Sequence, residues 1–283
     1  MKLSELLART SLKSAGRRVG LDVQMTGGLL TCSPFDPADP RYCSDFVLPS
    51  MKMVEACRAD GFDFFQPWIE AGMLTEGQMH HAAARYHLGK TRSGQPMFWM
   101  IDDMLSPQDA HIGSDSSECW LSALLKYREP MLLYWCPTHC LFGLNLMYDG
   151  RGTIGDGRGL PPAIAIVESE ASAVVLSELF PETIWMAYAT VSHLCVDLFS
   201  PLEGRTVTIY PRTDLYMSNY LYFEELAANV RRHLNINISV DTTLEDYATD
   251  EQKKRCIDLL DFLLEDCRRD LKLRRILRAN PSN

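Results

Sequence analysis

The sequence predicts an α/β fold, a parallel sheet with flanking helices preceded by a smaller α+β region. Three observations carry that expectation. The run Ala163–Val167 is wholly apolar, ends in Glu168, and passes straight into a segment with apolar residues at Ala171, Val174, Val175 and Leu179. A short apolar run closed by a polar residue and followed by a helical period reads as a buried parallel strand feeding a crossover helix. A second apolar strand, Thr206–Tyr210, leads into Pro211, Arg212, Thr213 and Asp214. Strand and helix signals also alternate throughout this half of the chain. A helix is expected near Ser172–Phe180, a strand near Ile184–Ala189, a loop through His193 and Asp197, a helix around Tyr222–His233 and a strand over Ile236–Val240. Such alternation gives about four parallel strands joined by right-handed crossovers.

The elements before this half are less regular. Residues 1–75 form a region of unclear fold. It starts with a short amphipathic helix, and a further helix begins at Met51 and ends at the turn Asp60-Gly61. Cys32, Cys43 and Cys57 lack the close partners, two to four residues away, that a structural zinc site uses, so zinc is not expected. Residues 76–148 read as an α+β unit. Arg85–Leu88 and Pro96–Ile101 flank Lys-Thr-Arg-Ser-Gly, a hairpin signal. The strand ends at Asp102-Asp103, whose side chains point to opposite faces if the strand continues. His80 and His81 are adjacent and point to different sides of a helix. Trp120–Tyr127 is helical. Cys136-Pro-Thr-His139-Cys140 offers three donors, with a proline among them, and reads as a loop into a strand-like Leu-Phe-Gly-Leu-Asn-Leu.

Residues 149–162 hold five glycines and two prolines and form the expected linker. The linker lacks the Gly-Lys-Ser/Thr ending of a nucleotide-binding loop and no strand leads into it, so no nucleotide cofactor is expected. Residues 163–283 complete the parallel-sheet domain. Its tail from Asp250 reads as an amphipathic helix with Leu260, Leu263, Leu264, Cys267 and Leu271 on its apolar face.

In open α/β sheets the working residues sit at the carboxyl ends of the strands. Glu168 and Asp214 follow two such strands, and two carboxylates there can share a divalent cation. Arg212 stands beside them. It can repel a cation and pair with Glu168 or Asp214, or it can hold a phosphate directly.

These motifs resemble a toprim domain, the metal-binding α/β module of primases and topoisomerases. That pattern has a strand, a glutamate, a glycine and an Asp-Ala pair, and later an Asp-x-Asp. Here Glu168 is present, Ser169 stands at the glycine place, Ser172-Ala173 at the Asp-Ala place, and Arg212 replaces the first aspartate of the later pair. From Tyr86 onward the chain is similar to toprim-like proteins of bacterial conjugative and other mobile elements. The matching segments are YHLGKTRSGQPMFWMID, PTHCLFGLNL, AIVESEASAVVLSELFPE and VTIYPRTD. The resemblance implies a weak Mg²⁺ site on Glu168 and Asp214, with Glu168 as general acid or base. It also implies work on DNA or another nucleic acid, with a replication or mobilisation protein as partner.

The net charge of −9 is unevenly spread. Residues 1–20 carry five basic residues and one acidic, and residues 267–283 carry six and one, which leaves −18 for the middle (−9 − 4 − 5). An acidic body disfavours broad wrapping of nucleic acid. Arg268, Arg269, Lys272 and Arg275 can make phosphate contacts from the tail, or face water. No apolar run is long enough to cross a bilayer. The amino terminus lacks the apolar stretch of a secretion signal, and nine cysteines stand without a disulfide framework, so a reducing cytoplasm is expected. Three functions stay open: a non-catalytic primase-type nucleic-acid-binding module, an active Mg²⁺-dependent phosphodiester enzyme, and a protein-interaction subunit.

Overall fold

A computed structural model describes residues 23–26, 29–32, 48–113, 119–128, 136–148 and 162–269. The chain divides into two compact units. One holds Met1–Ala59, His87–Met100 and Ser106–His139; the other holds Asp60–Tyr86, Ile101–Leu105 and Cys140–Asn283. The segment 60–86 packs with the parallel-sheet unit because its apolar side chains, Phe65, Trp68, Ala82, Ala83 and Tyr86, are all buried.

In the first unit, β1 (Val23–Thr26) pairs antiparallel with β2 (Leu29–Cys32). A second sheet has the order β3 (Gly89–Lys90), β4 (Pro96–Ile101), β5 (Pro107–Ile112) and β6 (Cys119–Trp120). The expected hairpin forms between β3 and β4, which pair antiparallel; the Thr91 N–H donates to the Gln95 carbonyl at 2.9 Å and Gly94 turns with φ +87°. Gly89 has no substitute here, since a Cβ would lie 2.9 Å from the Cys57 carbonyl oxygen. Helix α1 (Met51–Ala56) is shorter than the sequence suggests. A further helix, α4, covers Leu121–Arg128.

In the second unit, α2 (Gln66–Glu70) precedes α3 (Glu76–Arg85), which opens with a Thr75/Gln78 capping box. Asp102 closes a turn by accepting the Met104 N–H at 2.9 Å. The core sheet holds β7 (Ile164–Val167), β8 (Ile184–Ala187), β9 (Thr206–Ile209) and β10 (Asn237–Val240), in the order β10-β9-β7-β8 with every pairing parallel. Each strand lies within a residue or two of its expected place. Helix α5 (Glu170–Leu179) crosses from β7 to β8, and α6 (Ser218–His233) from β9 to β10. Strand β7 is buried along its whole length, as its unbroken apolar sequence requires.

Two expected elements differ. Leu-Phe-Gly-Leu-Asn-Leu makes one antiparallel bridge, Phe142 to Ala187, and then a 3₁₀ turn over Leu144–Met147. Gly143 causes the change: its φ is +82°, and a Cβ there would meet the Trp185 carbonyl at 2.9 Å. After α7 (Thr243–Tyr247), the tail expected as one helix from Asp250 is also broken, into α8 (Asp250–Lys254) and α9 (Leu259–Arg269). Cys256 adopts φ +50°, which ends α8. Asp258 then caps a new helix by accepting the Asp261 N–H at 2.8 Å. Leu259 and Phe262 take the buried positions, and Leu260, Leu263 and Leu264 are half-buried. The side chain of Cys267, and Leu271, lie outside the described residues, as do the linker positions 149–161. No described helix is long and apolar enough to cross a membrane.

Candidate functional site at the carboxyl edge of the parallel sheet

Glu168 is the first residue past β7. Its side chain is 27 % exposed, and Oε2 lies 3.1 Å from Nε of Arg212. The distance is that of an ion pair, but the Nε–H is not aimed at the oxygen as a hydrogen bond requires. The attraction is therefore one of charge, which depends on distance more than on angle. The same oxygen accepts the Tyr188 hydroxyl at 3.3 Å, from just past β8. Burial pushes the Glu168 carboxyl above its usual range; Arg212 and Tyr188 pull it down, and the charges of Asp258 and Glu170 raise it further. Burial, with Glu168 alongside, also pushes the Tyr188 phenol well up.

Arg212 owes its place to the loop around it. The Tyr210 N–H donates to the Ile166 carbonyl at 2.8 Å, tying the end of β9 to β7. Thr213 is fully buried; its N–H donates to the Ile257 carbonyl at 3.2 Å and its hydroxyl to Glu245 at 2.9 Å. Lys253 in turn pairs with Glu245 at 3.2 Å. The turn between α8 and α9 thus holds the loop that presents the guanidinium.

Ser172, in the first turn of α5, donates its hydroxyl to Asp258 Oδ2 at 2.5 Å, while Asp258 Oδ1 caps α9. Asp258 therefore ties α5 to α9, and its charge acts on Glu168. Burial, then the Asp258 charge, raises the carboxyl of Asp261 above its usual range, and Arg212 partly offsets this. The sequence reading missed Asp258, Asp261 and Tyr188. Asp258 stands 86 residues from Ser172. The available signal was the Asp-x-x-Asp spacing before an apolar period, which marks a helix start.

Asp214 is engaged elsewhere. Its Oδ1 accepts the N–H groups of Tyr216 at 2.8 Å and Ser218 at 3.1 Å, and Oδ2 accepts that of Asn219 at 2.8 Å. Slight desolvation raises its carboxyl, but these backbone donors outweigh it, and the net shift is downward. Asp214 thus accepts the first two N–H groups of α6 from three residues before its N-cap position, Met217. The donor set suggested for Mg²⁺ is not assembled: Glu168 faces a guanidinium and Asp214 faces backbone N–H groups. Among the described residues no three His, Cys, Asp or Glu side chains converge to hold a metal ion. The residues as arranged do not fit a divalent cation.

The other positions singled out from sequence are scattered. Arg268 and Arg269 end α9, with their side chains outside the described residues; Lys272, Arg275 and Cys43 lie outside them altogether. Cys57 is buried and in no disulfide, and Cys136, His139 and Cys140 lie in a segment with no regular structure. His81 Nδ1 lies 2.7 Å from Glu178 Oε1.

A comparison with curated proteins finds no match. Among solved structures, the DnaG primase catalytic domain bound to ssDNA is similar, with a TM-score of 0.39 and 12 % identity over 76 % of this chain and 82 % of that one. The fold class rests on the strand order and crossover helices described above. A family match runs over residues 64–213 and takes in Glu168, Ser172, Tyr188 and Arg212. It spans more than half of the 283 residues, and the chain belongs to the family described as Domain of unknown function (DUF6371).

Proposed function

We propose that this chain is a primase-type nucleic-acid-binding module whose sheet edge holds a backbone phosphate through Arg212, without metal and without catalysis. The observation that carries this reading is the placement of the Arg212 guanidinium, fixed by a buttressed loop and 3.1 Å from its carboxylate partner. A guanidinium matches phosphate with two parallel N–H donors, a better geometry than its present approach to Glu168. Phosphate draws Arg212 away from Glu168. Glu168 then loses the charge that holds its carboxyl down, so its affinity for a proton rises. The toprim resemblance supplies the ligand class, DNA or another nucleic acid, and the mobile-element resemblance a replication or mobilisation protein as partner.

The test is fluorescence anisotropy with labelled oligonucleotides across a salt series, on the wild type and on Arg212→Ala. Affinity should fall as salt rises. The log–log slope should be shallower by about 0.7–0.9 in the variant, which neutralises one phosphate fewer than the wild type. An unchanged slope would sink the reading. The alternative, an Mg²⁺-dependent phosphodiester enzyme on Glu168 and Asp214, requires saturable Mg²⁺ binding abolished by Glu168→Gln and Asp214→Asn. That result, with cleavage or primer synthesis, would replace the proposal.

A further inference from the structure

The turn after Asp214 exposes an unusual amount of apolar surface. Leu215, Tyr216, Met217, Leu221 and Tyr222 are 44, 83, 40, 60 and 40 % exposed, all within eight consecutive residues. Scattered single apolar residues on a surface are ordinary, but a contiguous group marks an interaction site. This group is also held rigidly. Asp214 fixes the backbone at Tyr216, Ser218 and Asn219, and the Leu221 N–H donates to the Met217 carbonyl at 3.0 Å. Met217 adopts φ +56°, a left-handed conformation that a non-glycine residue keeps where the surroundings impose it. On α6 the buried side chains are Phe223, Ala227 and Val230, which leaves Leu221 and Tyr222 facing outward.

A further exposed aromatic, Tyr247, is 73 % exposed and follows Asp246 on α7. The two segments are tied together at their base: the Thr213 hydroxyl, just before the turn, donates to Glu245 of α7 at 2.9 Å. Residues 214–225 carry three carboxylates and no basic residue, and residues 243–251 carry four and none. Glu224 already lies 3.9 Å from Arg231, Glu245 3.2 Å from Lys253 and Glu251 3.9 Å from Lys254, which leaves Glu225, Asp246 and Asp250 without a basic partner among these ion pairs, beside the apolar and aromatic centre.

We infer that the Leu215–Tyr222 turn and Tyr247 form a docking face for a basic amphipathic polypeptide segment of a partner protein. Charge decides the class of occupant. A nucleic-acid backbone would meet the carboxylates of Glu225 and Asp246, whereas lysine and arginine side chains would pair with them and stack on the tyrosine rings. Apolar residues of the same segment would cover Leu221 and Tyr216, in the manner of helix-in-groove recognition. The face does not use Arg212, so it stands or falls separately from the phosphate site.

The experiment uses the full chain and a short fluorescent peptide of leucine and lysine patterned as an amphipathic helix, with a leucine–glutamate peptide of the same pattern as control. Wild type should bind the lysine peptide in a salt-sensitive manner and leave the glutamate peptide free. The double variant Tyr216→Ser/Leu221→Ser should weaken binding about tenfold or more, as truncation of a central anchor does. Glu225→Gln/Asp246→Asn should weaken it and flatten its salt dependence. All four positions are exposed, so these variants should unfold at the wild-type temperature. Equal binding by wild type and both variants would overturn the inference. So would equal affinity for the two peptides, a dimer that disappears in the Tyr216→Ser/Leu221→Ser variant, or oligonucleotide binding abolished by that variant.

Discussion

Glu168 and Asp214, read from sequence as a pair, occupy opposite electrostatic settings. Asp214 is held charged by backbone N–H groups, and its carboxyl sits below its ordinary value of 3.8. It therefore stabilises the fold above that value, and the contribution is lost as pH falls through the lowered one. Glu168 is partly buried and its carboxyl sits above 4.5. Its contribution is present below 4.5 and is lost as pH rises through the raised value. Asp214→Ala should cost about 1 kcal/mol at neutral pH, the loss of the acceptor for the first N–H groups of α6. Glu168→Gln should be neutral or stabilising at neutral pH, and its difference from wild type should change sign or vanish in acid. Urea midpoints measured from acid to neutral pH check both. An equal loss for the two variants at every pH would contradict the assignment of desolvation to one and backbone hydrogen bonding to the other. The sequence made both carboxylates legible, because each follows an apolar strand. It did not reveal that Asp214 accepts the first N–H groups of α6, because that depends on Met217 bending the chain back so that the N–H groups face the carboxylate.

At the scale of elements, the turn from α8 to α9 governs the site. Asp258 accepts both the Ser172 hydroxyl and the Asp261 N–H. Ser172→Ala should remove one buried hydrogen bond, about 1 kcal/mol. Asp258→Ala should remove that bond and the cap of α9, about 2 kcal/mol together. The double variant should cost no more than Asp258→Ala alone, since the pair shares one interaction. Denaturant unfolding of the three variants measures this, and strict additivity would show that Ser172 and Asp258 act independently. The periodicity of leucines made a helical tail legible. The break at Cys256 was not, because no glycine or proline marks it and the left-handed residue is imposed by the packing of Ile257 and Phe262 against Leu244.

At the scale of the whole molecule, β7 lies between β8 and β9 and is buried from end to end. Amide hydrogen exchange should be slowest at Ile164–Val167, and faster at β10, whose Asn237 and Ser239 face solvent at the sheet edge. Faster exchange at β7 than at β10 would mean that the sheet does not open from its edge. The sequence by itself determined the parallel sheet, its strands and the ends that matter, since burial on both faces demands unbroken apolar runs and crossovers demand a helical period. It also supplied Glu168 and Arg212 as neighbours, one at each of two adjoining strand ends. Only the tertiary structure decided which charges meet. The pairing of Arg212 with Glu168, the arrival of Asp258 under Ser172 and the packing of residues 60–86 with the sheet all join positions far apart in the chain. Such contacts are selected by burial and charge in the folded state, and no local pattern encodes them.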